Sequence, residues 1–472
     1  MGRKQELAKN TVILTVGKIC TQFVSFMLLP LYTALLSAEE YGIVDLFNTY
    51  VILLVPLFNW QFENGLFRFM LDCRNDKKKT QELFSTVLTT NFIQVFGYLL
   101  LYFIVQRFLH TEYKIFLAID VALNILLNTM MQFPRGIGKN SVYAFASFLS
   151  ASATVVLNVI LIVVFHLGAY GLFIATAAAK LLTLAYLVVC LRVWQYYRPH
   201  YFSINAFKEI SRYSIPLIPN SLSWWIIGAS DRSVIARFIG IAANGVFSVA
   251  NKFSGLFSTF FSIFNLSWTE SVALHIKDED HESFLTEMIN QLFCIFAAVC
   301  FGIIACMPFV FPFMIDAKYS AAYPQIPILM VGILFQIIMG LYSTIYVALK
   351  KSVEVAKTTL YAAVINLMVD FGLINHIGIY AASLSTLAAF AFVAIYRYFH
   401  VQRYVSVKFT AKVKISTILA GVFVIVAYYY NNFFLNIVSL LVAISYALTM
   451  NWSFVKAIFG AMKSGLGRIV KK

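Results

Sequence analysis

Apolar runs of about twenty residues recur from one end of this chain to the other, and that is the length an α-helix needs to cross a hydrocarbon layer ~30 Å thick. Fourteen such runs are read: 11–36, 42–67, 84–105, 113–133, 143–165, 171–194, 213–239, 245–268, 284–311, 326–349, 359–375, 380–398, 415–430 and 433–452. With 61% hydrophobic and only 12% charged residues, the chain carries about half the charge of a typical soluble domain. A β-barrel is excluded, because its strands alternate polar and apolar residues whereas these runs are continuous. The expected class is an all-α integral membrane protein with 14 transmembrane helices.

The charge distribution orients the helices. With the N-terminus inside, twenty-eight of the 36 Lys and Arg fall in cytoplasmic segments, and only Arg107, Lys114, Arg237 and Lys318 fall outside. Lys18, Lys180, Arg232 and Lys252 lie within spans. The formal net charge of +15 is therefore a topology signal, and no nucleic-acid partner is needed to explain it. The same count places both termini in the cytoplasm of a multi-pass chain, with the first span retained as a helix and not cleaved. The six cysteines lie mostly in apolar runs and are read as packing residues, neither a disulfide framework nor metal ligands.

An internal repeat divides the chain. HLGAYG (166–171) recurs as HIGIYA (376–381), each after a span with a mid-helix Asn, Asn158 or Asn366; EEYGIVDLFN (39–48) answers AANGVFSVAN (242–251), with Gly42 opposite Gly245. Nearly equal offsets and equal orientation give parallel repeats. The expected domains are a six-helix lobe over 1–200, a second over 201–401, and a two-helix appendix with a basic tail over 402–472.

Ionisable residues within spans are the candidates for function, since a charge in hydrocarbon costs several kcal/mol unless it meets a partner or a wet cavity. The stretch 213–252 holds Asp231, Arg232 and Lys252, read as one helix, a tight turn near Asn244-Gly245 and the start of the next. By helical rise, Lys180, Asp120 and Asp370 lie at similar depth. Two accounts stand side by side. Either Arg232, Lys252, Lys180, Lys18 and Arg68 receive an anionic group while Asp231, Asp120 or Asp370 handles a coupling ion, or the charges pair with one another and hold helices in register. Lys18 has a third account, snorkelling to the cytoplasmic surface. Glu63 and Arg68 are read either as an i, i+5 interfacial pair or as the entry gate for a charged substrate, with Glu63 expected at the interface and Arg68 left open between the two. Pro30, Pro56, Pro216 and Pro219 are expected to kink spans one, two and seven. No zinc-protease HExxH and no Walker-type phosphate loop occurs in the sequence, so neither an enzyme nor a cofactor is expected.

The segments KNTVILTVGK (9–18), LPLYTALLSAEEYGIVDLFN (29–48), QFPRGIGKNSVYA (132–144), SIPLIPNSLSWWIIGASDRSVI (214–235) and NGVFSVANKF (244–253) resemble those of the Wzx-type polysaccharide flippases, in the multidrug/oligosaccharidyl-lipid/polysaccharide exporter superfamily. The resemblance implies a MATE-like pair of six-helix bundles around a cavity. It implies transfer of undecaprenyl-diphosphate-linked oligosaccharide across the bacterial cytoplasmic membrane for capsule, exopolysaccharide or O-antigen assembly. It also implies a lipid-linked oligosaccharide substrate, membrane lipids, and a glycan polymerase and glycosyltransferases of the same pathway as partners. Cavity cations would receive the diphosphate, a role that falls on Arg232, Lys252, Lys180 and Lys18. The competing readings are a multidrug or lipid II exporter of the same superfamily and an integral-membrane glycan polymerase or ligase.

Overall fold

The structure, a computed structural model, describes residues 26–74, 76–108, 111–452 and 456. In chain order the helices are α1 (Leu29–Leu35), α2 (Ala38–Asn59), α3 (Phe62–Asp72), α4 (Lys77–Val105), α5 (Lys114–Gly136), α6 (Asn140–Val159) and α7 (Gly168–Leu191). They continue as α8 (Ile204–Ser214), α9 (Ile218–Phe238), α10 (Ile241–His275), α11 (His281–Met314), α12 (Ile326–Ala348), α13 (Ser352–Ile377), α14 (Tyr380–Val401), α15 (Ala411–Tyr430) and α16 (Phe433–Met450). No strand occurs among the described residues. Eleven of these stretches are long and apolar enough to cross a membrane: α2, α4 to α7 and α11 to α16. The long helices α9 and α10 carry the polar residues Asp231, Arg232, Asn244, Asn251 and Lys252 and fall below that apolar level. The remaining expected span, 11–36, lies mostly outside the described residues.

Local chemistry explains where helices start. Ser37 caps α2 reciprocally: its hydroxyl accepts the Glu40 N–H at 3.1 Å, while its own N–H reaches the Glu40 carboxylate at 2.9 Å. Asp76, Ser203, Thr410 and Asn432 cap α4, α8, α15 and α16 in one direction only, each accepting a first-turn N–H that has no helical partner.

The expected second span, 42–67, is not one helix. It breaks at Trp60 and Gln61, both left-handed (φ 54° and 59°), between α2 and α3. The expected loop 195–212 contains α8, which turns Ala206, Ile210 and Ser214 toward the protein. Pro216 lies in a 3-10 turn and Pro219 in the first turn of α9, so both start a helix where kinks were expected. The chain reverses at Gly240 (φ 135°), not at Asn244-Gly245, which lie inside α10.

Two compact units result, one up to Ser248 and one from Val249 onward. In the first unit, one packed layer holds Phe62, Leu66, Phe84, Phe133, Leu187 and Ile210; another holds Ile43, Phe47, Val121, Ile125 and Phe173. The parallel repeat is visible in backbone geometry. α5 and α12 are both 23 residues long and begin at Lys114 and Ile326, 212 positions apart. Gly138 and Lys350, at the same offset, both have positive φ (81° and 60°), and the N–H of Lys139 and of Lys351 each donates five residues back at 2.7 Å, to Pro134 and Tyr346. Gly168 and Gly378 both have positive φ (53° and 59°) before α7 and α14.

Within the second unit, Arg397 is the largest fully buried side chain, although the charge count had assigned it to a cytoplasmic segment. Its guanidinium donates to the carbonyls of Met339 (2.9 Å) and Val355 (3.3 Å) and to the Thr358 hydroxyl, tying α14 to α12 and α13. Hydrogen bonds from a charged donor contribute about 1.5–3 kcal/mol each. Arg397→Ala is therefore expected to cost at least ~3 kcal/mol, read as a lower thermal unfolding midpoint in detergent. Arg397→Lys should recover only part of it, because an ammonium cannot reproduce the planar fork. An unchanged midpoint in the alanine variant would refute the clamp.

Candidate functional site

α9 lies along α2 inside the first unit, and four polar contacts mark the seam. Gln61 donates to the Ser221 hydroxyl (2.6 Å), the Trp225 indole to the Thr49 carbonyl (2.8 Å), Arg232 meets Asp45 (2.8 Å), and Asn244, at the start of α10, donates to the Gly42 carbonyl (2.9 Å). On α2, Asp45 and Thr49 are one turn apart and face α9, and the Thr49 hydroxyl bonds back to the Asp45 carbonyl.

The Arg232–Asp45 contact is the most reactive feature of this seam. Both side chains are largely buried, at 17% and 15% exposure. The Nε–H does not aim at the carboxylate oxygen, so the contact is Coulombic and not a directed hydrogen bond. Another part of the guanidinium donates to the Gly228 carbonyl at 2.9 Å, one turn back. Asp231, beside Arg232, is buried.

A second ion pair crosses the first unit: the Lys180 ammonium on α7 donates to the Asp120 carboxylate on α5, each about 15% exposed. Two residues that the sequence offered separately, one as a ligand cation and one as a coupling acid, thus neutralise each other. In the second unit, Asp370 is fully buried one turn beyond Asn366 on α13, and the Asn366 amide donates to the Ser385 hydroxyl on α14 at 3.2 Å.

The helix break beside the seam is built from polar side chains. Asn59 accepts the Gln61 N–H (2.8 Å) and donates to the Glu63 carboxylate (2.7 Å), and Asn64 donates to Gln61. Glu63 is accordingly buried, not interfacial, and its expected relation to Arg68 is absent. Arg68 is half exposed and bonds Asp72 on its own helix at 2.8 Å, which holds its guanidinium above the usual value. Lys252 lies on α10, exposed, within the second unit. Lys18 lies outside the described residues.

Sequence reasoning missed Asp45 and Arg397. Asp45 sits inside the repeat segment EEYGIVDLFN; its place within the apolar run 42–67, seven residues after the start of α2 at Ala38, was the available signal.

The sequence profile of the polysaccharide biosynthesis protein family matches residues 7–269. A search of curated proteins gives no significant match. Among solved structures, the lipid II flippase MurJ in an inward closed conformation superposes with a TM-score of 0.72 at 15% identity, over 96% of this chain and 100% of that one. A MATE family multidrug resistance transporter in an inward-facing conformation gives 0.69 at 14% identity, over 82% and 97%. An outward-facing conformation of a MATE family transporter gives 0.57 at 14% identity, over 84% and 95%. These likenesses establish the MATE and MurJ fold.

Proposed function

From the premise that the chain belongs to the polysaccharide biosynthesis protein family and has the fold of the MATE and MurJ transporters, we propose that it moves polyprenyl-diphosphate-linked oligosaccharide repeat units from the cytoplasmic to the outer leaflet of the bacterial cytoplasmic membrane. The observation that carries this reading is the Arg232–Asp45 contact, a largely buried cation between α9 and the apolar helix α2 whose present oxyanion can be replaced by a diphosphate oxygen. Lys180, Lys252, Lys18 and Arg68 complete the proposed path, with Lys180 guarded by Asp120 as Arg232 is by Asp45. Access alternates between lobes 1–200 and 201–401, and the helices over 402–472 accompany them, with both termini cytoplasmic. Polymerase and glycosyltransferases of the same pathway supply and consume the glycan.

Asp370, with Asp231 and Asp120 as the other candidates, carries a coupling proton or sodium ion. Asp370→Asn is expected to abolish the stimulation of export by an imposed ion gradient in vesicles, at least tenfold, while the chain still folds. Lys252→Ala is expected to make lipid-linked glycan accumulate on the inner leaflet at unchanged protein level. Gradient stimulation that survives in Asp370→Asn removes that residue from coupling, and normal surface glycan in Lys252→Ala removes the lysine from the path. A multidrug exporter would instead protect cells from cationic dyes, which the same variants score.

A further inference from the structure

In the second unit, the C-terminal end of α11, the 3-10 helix Ala317–Gln325 and the turn between α15 and α16 border a cavity of about 370 Å³ that is open to the surface. Its walls include Phe311, Pro312, Ser320, Tyr323 and Asn431, and none of its lining residues is charged. The proposed orientation puts this cavity at the outer face, and the inference rests on that orientation.

The cavity is held open by its own framework. The Tyr323 ring stacks on Tyr428 (centroids 4.2 Å apart, 12° between planes) and meets the Phe311 ring edge to face at 5.2 Å. The hydroxyls of Tyr428 and Tyr429 donate to the Tyr323 and Pro324 carbonyls at 2.6 and 2.7 Å, fixing the 3-10 segment onto α15. Asn431 is left-handed (φ 46°), and its side-chain carbonyl accepts from Asn436 at 3.2 Å, which leaves its NH₂ group to donate elsewhere. The Tyr323 hydroxyl is buried beside Tyr428, so this residue offers the cavity its ring and not its hydroxyl.

The lining decides the ligand class. A phosphate would enter with no cation to meet it, and an alkyl chain would leave the Ser320 hydroxyl and the Asn431 NH₂ group against apolar carbon. A sugar ring satisfies both halves, laying C–H faces on aromatic and proline carbons while its hydroxyls meet hydroxyl and amide groups. The volume equals that of about twelve waters at ~30 Å³ each, enough for one ring and a few waters. We propose that this cavity binds one neutral hexopyranose residue and is a landing site for the glycan as it emerges.

The test uses the full chain in nanodiscs with methyl β-D-glucopyranoside, methyl β-D-galactopyranoside and methyl 2-acetamido-2-deoxy-β-D-glucopyranoside, followed by saturation-transfer NMR. Wild-type protein is expected to bind at least one of them with about millimolar affinity, ordinary for so small a ligand. Ser320→Trp, which fills the cavity, should weaken binding at least tenfold. Asn431→Asp, which keeps the shape but removes the NH₂ donor, should weaken it several-fold, with thermal unfolding confirming that both variants fold. No binding by wild type up to the solubility of each probe would overturn the proposal. So would undiminished binding in Ser320→Trp, or expulsion of a bound lipid by that variant, seen in native mass spectrometry, with glycoside binding unchanged. The export reading fails or stands separately, because it is scored by glycan accumulation in Arg232 and Lys252 variants, neither of which lines this cavity.

Discussion

Arg232→Gln is expected to cut glycan export by roughly 10- to 100-fold, the rate equivalent of losing one charge-assisted hydrogen bond of about 1.5–3 kcal/mol. Lipid-linked glycan should build up on the inner leaflet while protein level holds. The partner residue makes this decisive. If Arg232 and Asp45 serve only to hold α9 on α2, removing either charge leaves the other largely buried and uncompensated, so Asp45→Asn should fail as badly as Arg232→Gln. The double variant, with neither charge, should then regain export. If the guanidinium receives the diphosphate, Asp45→Asn removes a competitor and export stays within a few-fold of wild type. The double variant then fails like Arg232→Gln alone. Full export in the double variant would reduce the pair to a structural tie. The misaligned Nε–H favours the binding outcome, because a contact lacking a directed hydrogen bond offers less resistance to replacement.

Gly245→Ala is expected to impair both stability and export, through a single added methyl group. A Cβ at Gly245 would stand 1.9 Å from the Ala38 carbonyl oxygen, and one at Gly42 would stand 2.1 Å from the Ile241 carbonyl oxygen. Both obstacles are backbone, so no rotamer change relieves them and the start of α10 must move off α2. Overpacking of this kind typically costs about 1–3 kcal/mol. It also pulls the Asn244 amide away from the Gly42 carbonyl. The expected readout is a lower thermal midpoint together with export reduced at least tenfold, and Gly42→Ala should match it. Gly97→Ala and Gly372→Ala are the controls, since a Cβ at either meets nothing within 4 Å. Replacing a mid-helix glycine by alanine there is expected to stabilise by about 0.5–1 kcal/mol. Wild-type behaviour in Gly245→Ala would mean that this crossing is neither tight nor functional.

The same two glycines show how far the sequence could be read. Their pairing was legible as a repeat match, Gly42 answering Gly245, yet nothing in that match said that they would touch. Asn244-Gly245 has the composition of a turn, and the turn was placed there, but the chain reverses at Gly240 and the Asn-Gly pair serves close helix packing. The break at Trp60-Gln61 carried no Gly or Pro of its own. Its traces were Pro56, expected to kink this span, and the cluster Asn59, Gln61, Glu63, Asn64 in an apolar run, side chains that bond one another and, through Asn59, the Gln61 N–H. Arg397 was counted with the cytoplasmic charges because it lies near a helix end, and only packing shows that three helices close over it.

The sequence by itself determined that this chain spans a membrane as helices, because hydrocarbon forces every backbone N–H and C=O to be satisfied within its own segment. Tertiary structure alone decided which charge meets which. Lys180 finds Asp120 across 60 residues and Arg232 finds Asp45 across 187, and attraction between such groups depends on their distance in space, which linear spacing does not encode.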